Sequence, residues 1–307
     1  MQATKWQMAR GVISTLLGAV AWGFSGTCVQ FLFASSSMNA LMLTTLRQLG
    51  AGVVFLLALC IRNHEQIHTM LADKGTLVRL AVFGSCGLFL NSMLYATTIS
   101  FTNAGTATVL QSLNIIMALA VTCLVTRRLP RTLEAIALIC ALGATFLIAT
   151  HGNPAELQLP VIGLVCGLAT AASATFYTMY PKTLFERWDS FSVTGLGMLV
   201  GGLTGMLACI GTDQAPTCID ALAGLDATSW MVLLVAILVG TFGAYGFFLH
   251  GISVVGAVAG NMLGAAEPVS ATVISALWLG TAFSWADWTG LALMVATILL
   301  IALQKHE

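Results

Sequence analysis

Residues 104–131 read AGTATVLQSLNIIMALAVTCLVTRRLPR. The first 23 of these residues, 104–126, contain no charged side chain, and a helix of about 20 mostly apolar residues is long enough to cross a bilayer. Three arginines follow within the next five residues, and positive charge beside a span is retained on the cytoplasmic side. This stretch is therefore typical of a membrane-spanning helix whose C-terminal end is cytoplasmic.

The composition of the whole chain agrees with that interpretation. Of the 307 residues, 58% are hydrophobic and 8% are charged, and the mean hydropathy is +0.93. A soluble domain carries about 25% charged residues, so this chain has too little polar surface to be a soluble globular protein. The formal net charge of zero also excludes a nucleic acid as a partner, because a basic surface is needed to hold one.

Ten runs in the chain have the length and composition of a membrane span, and together they leave little room for a soluble domain. They predict an all-α integral membrane protein with ten transmembrane helices and the lipid bilayer as its surroundings. The runs, here called spans one to ten, cover residues 11–33, 39–61, 77–97, 104–126, 133–150, 159–180, 190–210, 228–249, 255–280 and 286–303.

The lysines and arginines predict the orientation of the spans. With the N-terminus inside, eleven of the twelve basic residues fall in cytoplasmic segments, and no outward loop carries one. The twelfth, Arg47, lies within span two. Both termini are therefore predicted to be cytoplasmic, in a multi-pass protein of the plasma (inner) membrane.

The chain has a duplicated layout. Five spans precede a polar break that begins at His151, and five follow it, which predicts one repeat over residues 1–150 and a second over 151–307. Because five is odd, the two copies cross the membrane in opposite directions, as the inverted repeats of transporters do. Placing residues 104–149 over 258–303 puts Asn114 opposite Pro268.

Several motifs, in this order and spacing, are similar to those of a known family. The chain resembles the EamA-type branch of the drug/metabolite transporter superfamily, and the resemblance covers nearly its whole length. The motifs are Ala21-Trp22-Gly23, Leu46-Arg47-Gln48, residues 91–96 (NSMLYA), residues 102–105 (TNAG), Tyr245, Val255-Gly256-Ala257 and Glu267-Pro268. The sequence departs from the family where it has Arg127 and Thr281 in place of acidic residues and Asn114 in place of a proline.

The resemblance implies a secondary transporter that moves a small organic metabolite by alternating access. Export of amino acids or related compounds is the function it favours, with a cavity built from spans one, three, four, six, eight and nine. A multidrug or other metabolite carrier of the same fold is the alternative, and a non-transporting membrane scaffold is a further one.

Two ionisable residues lie near the middle of predicted spans, where a charge costs about 2.5 to 3.5 kcal/mol on insertion scales. Glu267 in span nine is a candidate to bind a proton, another cation or a substrate ammonium group. The alternatives are a structural pair of Glu267 with Arg47 or a hydrogen bond from Glu267 to a neighbouring helix, and for Arg47 also outward snorkelling. Pro268 removes a backbone donor and leaves the Gly264 carbonyl without its usual partner, so span nine is expected to kink there.

A set of uncharged polar and aromatic residues also lies within the spans. We expect them, together with Glu267, to line a substrate cavity, although hydrogen bonding between helices is the alternative. Gly256, Gly260 and Gly264 form a small-residue stripe that suggests helix packing, as do Gly197, Gly201 and Gly205 in span seven. The candidate cavity residues are Trp22, Asn91, Tyr95, Gln111, Asn114, Ser173, Tyr177, Tyr245 and Asn261.

The sequence contains no motif for enzymatic chemistry. It has no P-loop, dinucleotide fingerprint, zinc-binding pattern or nucleophile with its base, so we expect no enzyme, no cofactor and no metal. A small-molecule substrate is the expected partner, with protons as a candidate coupling ion through Glu267. The sequence leaves open whether the protein is a monomer or a homodimer, and whether Cys209 pairs with Cys218.

Overall fold

The computed structural model describes residues 5–62, 64–153 and 158–303, without the side chains of residues 5, 62, 64, 65, 257, 258 and 261. Within these ranges the secondary structure is helical, with no strand. The predicted Asn261 side chain and the basic residue Lys305 therefore lie outside the described residues.

The prediction of ten spans is confirmed in the described part of the chain. Several helices extend beyond the apolar runs, because a backbone helix continues through the polar residues that flank the hydrocarbon region. The observed spans are Trp6–Ser35, Ala40–Ile61, Lys74–Phe101, Ala104–Thr126, Thr132–Thr150, Val161–Phe185, Ser190–Gly211, Ala227–Val255, Met262–Leu279 and Trp285–Leu303.

Spans three and eight each contain a π-helical segment, which is rare in helices and frequent at functional sites. The segment Phe83–Phe89 divides span three, and Leu238–Gly243 divides span eight. The register that puts Asn114 opposite Pro268 puts Phe83–Phe89 opposite residues 237–243, within one residue of the observed segment. The two halves of the chain therefore share a helix irregularity as well as their span layout.

Spans four and nine are also interrupted at related places. Span four consists of helices Ala104–Gln111 and Asn114–Thr126. Over residues 255–280, where span nine was predicted, helices Ala257–Gly264 and Ala266–Leu279 meet at Ala265, within one turn before Pro268. This interruption lies in the turn from which the proline removes a hydrogen bond. Span four breaks without a proline.

Small residues let span one approach its neighbours closely. A side-chain carbon at Gly18 would lie 2.7 Å from the backbone nitrogen of Phe248 in span eight, and one at Gly23 would lie 2.6 Å from the Glu267 carbonyl in span nine. Span one is therefore held between spans eight and nine with no space for a methyl group.

The glycine stripe of span seven packs inside the protein, whereas in the stripe Gly256, Gly260 and Gly264 the close contact is at Gly260, and Gly256 is exposed. In span seven, Gly201 faces Gln48 and Gly205 faces Thr45. In span nine, a side-chain carbon at Gly260 would lie 2.5 Å from Ile252 of span eight. Gly256 has a φ of +84° at the turn that joins those two spans, a conformation that glycine adopts without strain.

Two short helices connect spans, and one of them carries a candidate cysteine. Helix His64–Ala72 follows span two, and helix Ala215–Ala223 follows span seven. The Sγ atoms of Cys209 and Cys218 lie 3.8 Å apart, and both thiols are free. The two cysteines are thus adjacent but not bonded in this structure.

Candidate functional site

A cavity of about 510 Å³ lies between the helices. It extends from the middle of the protein, where Trp22, Tyr95 and Tyr245 line it, to the ends of spans four, five and ten at Arg128, Glu134 and Ala302. We call that second region the open end, because the Arg128 side chain in its lining is 34% exposed.

Most of the residues that the sequence singled out are brought together at this cavity. Ser173 is buried but is not in the lining, since the cavity-facing side of span six carries Ala174, Tyr177 and Thr178 instead. The side chain of Asn261 lies outside the described residues. The predicted residues in the lining are Trp22, Arg47, Asn91, Tyr95, Gln111, Asn114, Tyr177, Tyr245, Gly264, Glu267 and Pro268.

Aromatic rings form one wall of the cavity. The Trp22 ring lies edge-on to Tyr245, with centroids 4.9 Å apart, and 4.5 Å from the ring of Phe248. On span three, the Tyr95 hydroxyl lies 2.7 Å from the Thr108 hydroxyl. These rings present apolar faces to the cavity, while the tyrosine hydroxyls supply polar groups at its edge.

Arg47 reaches into the cavity and bonds to hydroxyl groups. Its Nη2 donates to Ser25 Oγ at 2.7 Å and to Thr241 Oγ1 at 3.3 Å. Its Nε is buried without a partner, and no acidic group among the described residues forms an ion pair with it. The alternative pairing of Arg47 with Glu267 is therefore absent from this structure, and so is outward snorkelling.

The π-helical segment of span eight helps to place these groups. Thr241 lies within it and donates its hydroxyl to the Ala236 carbonyl, five residues earlier, at 2.9 Å. A side-chain carbon at Gly240 would lie 2.5 Å from Ser25. The irregular turn thereby places Thr241 next to Ser25, so that both hydroxyls accept from the Arg47 guanidinium.

Glu267 lines the cavity from span nine and is half-buried. Within the described residues, its carboxylate accepts no hydrogen bond and has no basic group within 4.0 Å. The Ser270 hydroxyl donates to its backbone carbonyl instead, at 2.9 Å. Among the described residues the Glu267 carboxylate thus has no partner, so it can bind a group that enters the cavity.

A charge pair that the sequence analysis missed lies at the open end. Arg128 donates to Glu134 through Nη1 at 2.7 Å and Nη2 at 2.8 Å, a two-point contact. The hydrogen bonds that Arg128 donates to Glu134 raise the pKa of Arg128 above its ordinary value. Glu134 also accepts from the Arg131 backbone nitrogen at 2.7 Å, which ties the loop between spans four and five to the start of span five.

The opposite end, which we call the closed end, is sealed by a hydrogen-bond network around Gln30. Gln30 donates to Thr281 at 2.9 Å and accepts from Ser275 and from the Ala104 backbone nitrogen, both at 2.8 Å. Trp278 lies stacked beside Phe24 and Phe31, at centroid distances of 5.8 and 5.4 Å. Spans one, four and nine therefore meet tightly beyond the cavity.

Span two contributes more to the lining than the sequence analysis expected. Thr44, Arg47 and Gln48 all line the cavity, whereas the family resemblance implied only spans one, three, four, six, eight and nine. Their spacing of three and four residues is that of one helix face, so a polar stripe along span two was the available signal. Hydroxyl residues such as Ser25 and Thr241 had no such signal, because they occur throughout transmembrane helices.

Comparisons with known proteins agree with this architecture. The model of the EamA-like transporter family matches residues 9–150 and again residues 161–303. The uncharacterized inner membrane transporter YicL of Salmonella typhimurium is 31% identical over 300 residues, covering 97% of each chain. The uncharacterized transporter YwfM of Bacillus subtilis is 26% identical over 288 residues, covering 94% of this chain and 92% of YwfM.

One solved structure is similar in fold. It has a TM-score of 0.62 and 19% sequence identity, and the match covers 94% of this chain and 97% of the other. The family model matches the chain twice, over nearly all of its ten spans. This chain therefore belongs to the EamA-like transporter family and is a multi-pass membrane transporter.

Proposed function

We propose that the protein is a secondary transporter of the plasma (inner) membrane that exports amino acids or related small metabolites, and that it is not an enzyme. The observation that carries this proposal is a cavity between the helices, open at one end and sealed at the other, with charged and aromatic groups in its lining. The similarity to YicL, an inner membrane transporter, supports the location.

The size of the cavity fits a small organic solute. Sites for small molecules have volumes of about 300 to 1,000 Å³, with mostly apolar walls and a few polar groups that orient the ligand. The volume of about 510 Å³ lies within this range. The walls carry the Trp22 and Tyr245 rings, which suit an apolar side chain, and Arg47 and Glu267, which suit charged groups.

Alternating access is the mechanism that we infer for this cavity. The repeats over residues 1–150 and 151–307 would rock against each other, as inverted repeats do in other transporters. In the inward-open state the Gln30 network seals the closed end, and the Arg128 and Glu134 region admits solute. The arginines that follow span four support the cytoplasm as the side of the open end.

The test is counterflow exchange in proteoliposomes that contain the purified full-length chain. We expect saturable exchange of one or more labelled amino acids from a panel that includes neutral, aromatic and charged members. Empty liposomes and the exposed-surface variant Asp220→Asn provide controls. If no member exchanges while the reconstituted protein is folded, the proposal of an amino-acid transporter is wrong.

The same assay tests the coupling ion through Glu267→Gln. If protons drive export through this carboxylate, the variant exchanges solute at the normal rate but no longer responds to an imposed pH gradient. If Glu267 binds the substrate instead, exchange itself falls in the folded variant. If Glu267→Gln equals the unsubstituted protein in both exchange rate and gradient response, Glu267 has no part in the mechanism.

A further inference from the structure

Two opposite charges in the cavity have no charged partner among the residues that the structure describes. Of the described residues, four charged ones line the cavity, and two of them, Arg128 and Glu134, neutralise each other at the open end. The other two, Arg47 and Glu267, form no ion pair with any described residue. Burying an uncompensated charge in a low-dielectric interior is costly, so both groups are poised to gain a charged partner.

Both residues that carry these charges approach span one. Arg47 approaches it at Ser25, through the 2.7 Å hydrogen bond, and Glu267 approaches it at Gly23, through its backbone. Trp22 faces the cavity on the same span, and Arg47 and Glu267 both line that cavity, so a ligand beside Trp22 is exposed to a positive and a negative group.

Arg47 keeps donors for such a ligand. Its Nη2 is used by Ser25 and Thr241, whereas Nε and Nη1 make no hydrogen bond with the described residues, and Nε is buried. Both two-point edges of a guanidinium include Nη2, so the hydroxyls of Ser25 and Thr241 orient Arg47 and occupy the shared donor. Nη1 remains as the donor for a carboxylate, through a charge-assisted hydrogen bond.

We propose that Arg47 and Glu267 form a two-charge subsite that selects a zwitterion, with Arg47 holding the carboxylate and Glu267 holding the ammonium group. A simple cation would leave Arg47 without a partner, and a simple anion would leave Glu267 without one. Only a ligand with both charges satisfies both residues. This inference deepens the proposed function and rests on it, since it states what an amino-acid substrate requires in the same cavity.

Isothermal titration calorimetry on the purified full-length protein in detergent tests the subsite directly. The ligands are L-leucine and L-phenylalanine, their amides, which lack the carboxylate, and their N-acetyl derivatives, which lack the ammonium group. We expect at least one parent amino acid to bind about tenfold or more tightly than both of its derivatives, because each loses a charged hydrogen bond. The inference is overturned if no compound binds, or if an amide or N-acetyl derivative binds as well as its parent.

Charge-removing variants identify the residue that holds each group. In Arg47→Gln, we expect the parent amino acid to bind about tenfold more weakly, while the amide keeps or gains affinity because no unpaired guanidinium remains. In Glu267→Gln, we expect the parent amino acid to bind about tenfold more weakly, while the N-acetyl derivative keeps or gains affinity because no unpaired carboxylate remains. Arg47→Lys keeps the positive charge and is expected to retain part of the selectivity.

Matched controls separate this role from a structural one. Arg79→Gln and Asp220→Asn remove the same charges at exposed positions outside the cavity, and we expect them to bind like the unsubstituted protein. A structural role for Arg47 would lower the affinity for all three ligand types together and lower the melting temperature. That result overturns the inference. Unchanged ligand selectivity in both Arg47→Gln and Glu267→Gln also overturns it.

Binding and transport fail in different ways. Selective zwitterion binding without counterflow would contradict the proposed transport and leave the two-charge subsite standing. Counterflow of a solute that carries one charge or none, with no loss in Arg47→Gln, would leave transport standing and contradict the subsite.

Discussion

At the scale of single residues, Gly23 controls how closely span one approaches span nine. A side-chain carbon there would lie 2.6 Å from the Glu267 carbonyl and 2.7 Å from the Ala271 nitrogen, both backbone atoms that cannot rotate away. We expect Gly23→Ala to destabilise the protein by about 1 to 3 kcal/mol, the range for an overpacked interior, and to reduce transport. Thermal unfolding in detergent and counterflow measure the two effects.

Gly246 provides the matched control. It lies in the helix Ala244–Val255, and a side-chain carbon there would meet nothing within 4 Å. Gly246→Ala is expected to be neutral or slightly stabilising, because alanine favours helix over glycine by about 1 kcal/mol. Equal unfolding temperatures for the two alanine variants would contradict the close contact at Gly23.

At the scale of elements, Gln30 joins spans one, four and nine at the closed end. Gln30→Leu removes its hydrogen bonds to Ser275, Thr281 and the Ala104 backbone nitrogen, each worth about 1 kcal/mol. We expect the start of span four to open more often, so that backbone amides in residues 104–111 exchange with deuterium about tenfold faster or more. Hydrogen exchange with mass spectrometry measures this.

Gln214→Leu is the control for that experiment. Gln214 accepts a hydrogen bond from Asn39 at 2.7 Å in an exposed contact outside the Gln30 network. We expect this variant to leave exchange in residues 104–111 unchanged. Unchanged exchange in Gln30→Leu as well would show that the aromatic stack around Trp278 holds the closed end without the glutamine.

Asp73 links two loops that lie outside the membrane-spanning segments. Because its carboxylate makes these links, we expect the stability of the protein to depend on pH. Its carboxylate caps span three and accepts from Thr76 and from Arg187, each at 2.7 Å. The hydrogen bond from Thr76, followed by that from Gly75 and the charge of Arg187, lowers the pKa of Asp73. A lowered pKa contributes stability above the unfolded value of about 3.9, and this contribution is lost as the pH falls through the lowered pKa.

We therefore expect the melting temperature of the unsubstituted protein to fall at acidic pH by more than that of Asp73→Asn. Asparagine retains the capping oxygen but has no carboxylate to protonate. The difference between the two proteins should be constant from pH 7 to about 5 and should shrink below the ordinary carboxylate pKa of about 3.9. If the melting temperatures of the two proteins differ by the same amount at every pH, the proposed role of the Asp73 charge is wrong.

At the scale of the whole molecule, the basic residues predict which side the cavity faces. Arg127, Arg128 and Arg131 adjoin the open end, and positive loops are retained in the cytoplasm. We expect a fluorescent protein fused at the C-terminus to be fluorescent and alkaline phosphatase inserted after Asp213 to be active in intact cells. Phosphatase inserted after Leu129 serves as the inward control and should be inactive. The reverse pattern would place the open end outside.

Much of this fold could be predicted because the signals that specify it are local. The length of an apolar run decides whether it spans a bilayer, and Pro268 marks an interrupted helix through a backbone donor that it lacks. The π-helical segments Phe83–Phe89 and Leu238–Gly243 could not be predicted in this way, since their sequences carry no proline or charge that sets them apart from regular helix.

Part of the candidate site could also be predicted, because helical spacing is a local signal in the sequence. Tyr95 and Asn91 share a helix face by their spacing, and both reach the cavity. Ser173 and Tyr177 have the same spacing, yet only Tyr177 lines the cavity. Spacing specifies the face that two residues share, whereas the rotation of that helix against its neighbours decides which part of the face meets the cavity.

The sequence by itself determined the ten spans, the two-repeat family and the presence of two costly ionisable groups at midspan, Arg47 and Glu267. Only the tertiary structure decided that Arg47 bonds to Ser25 and Thr241 while Glu267 stays apart from it. It also decided which end of the cavity Gln30 seals. Local composition sets the free energy of placing each helix in the bilayer, whereas partners between distant helices depend on how side chains of very different sequence position pack together.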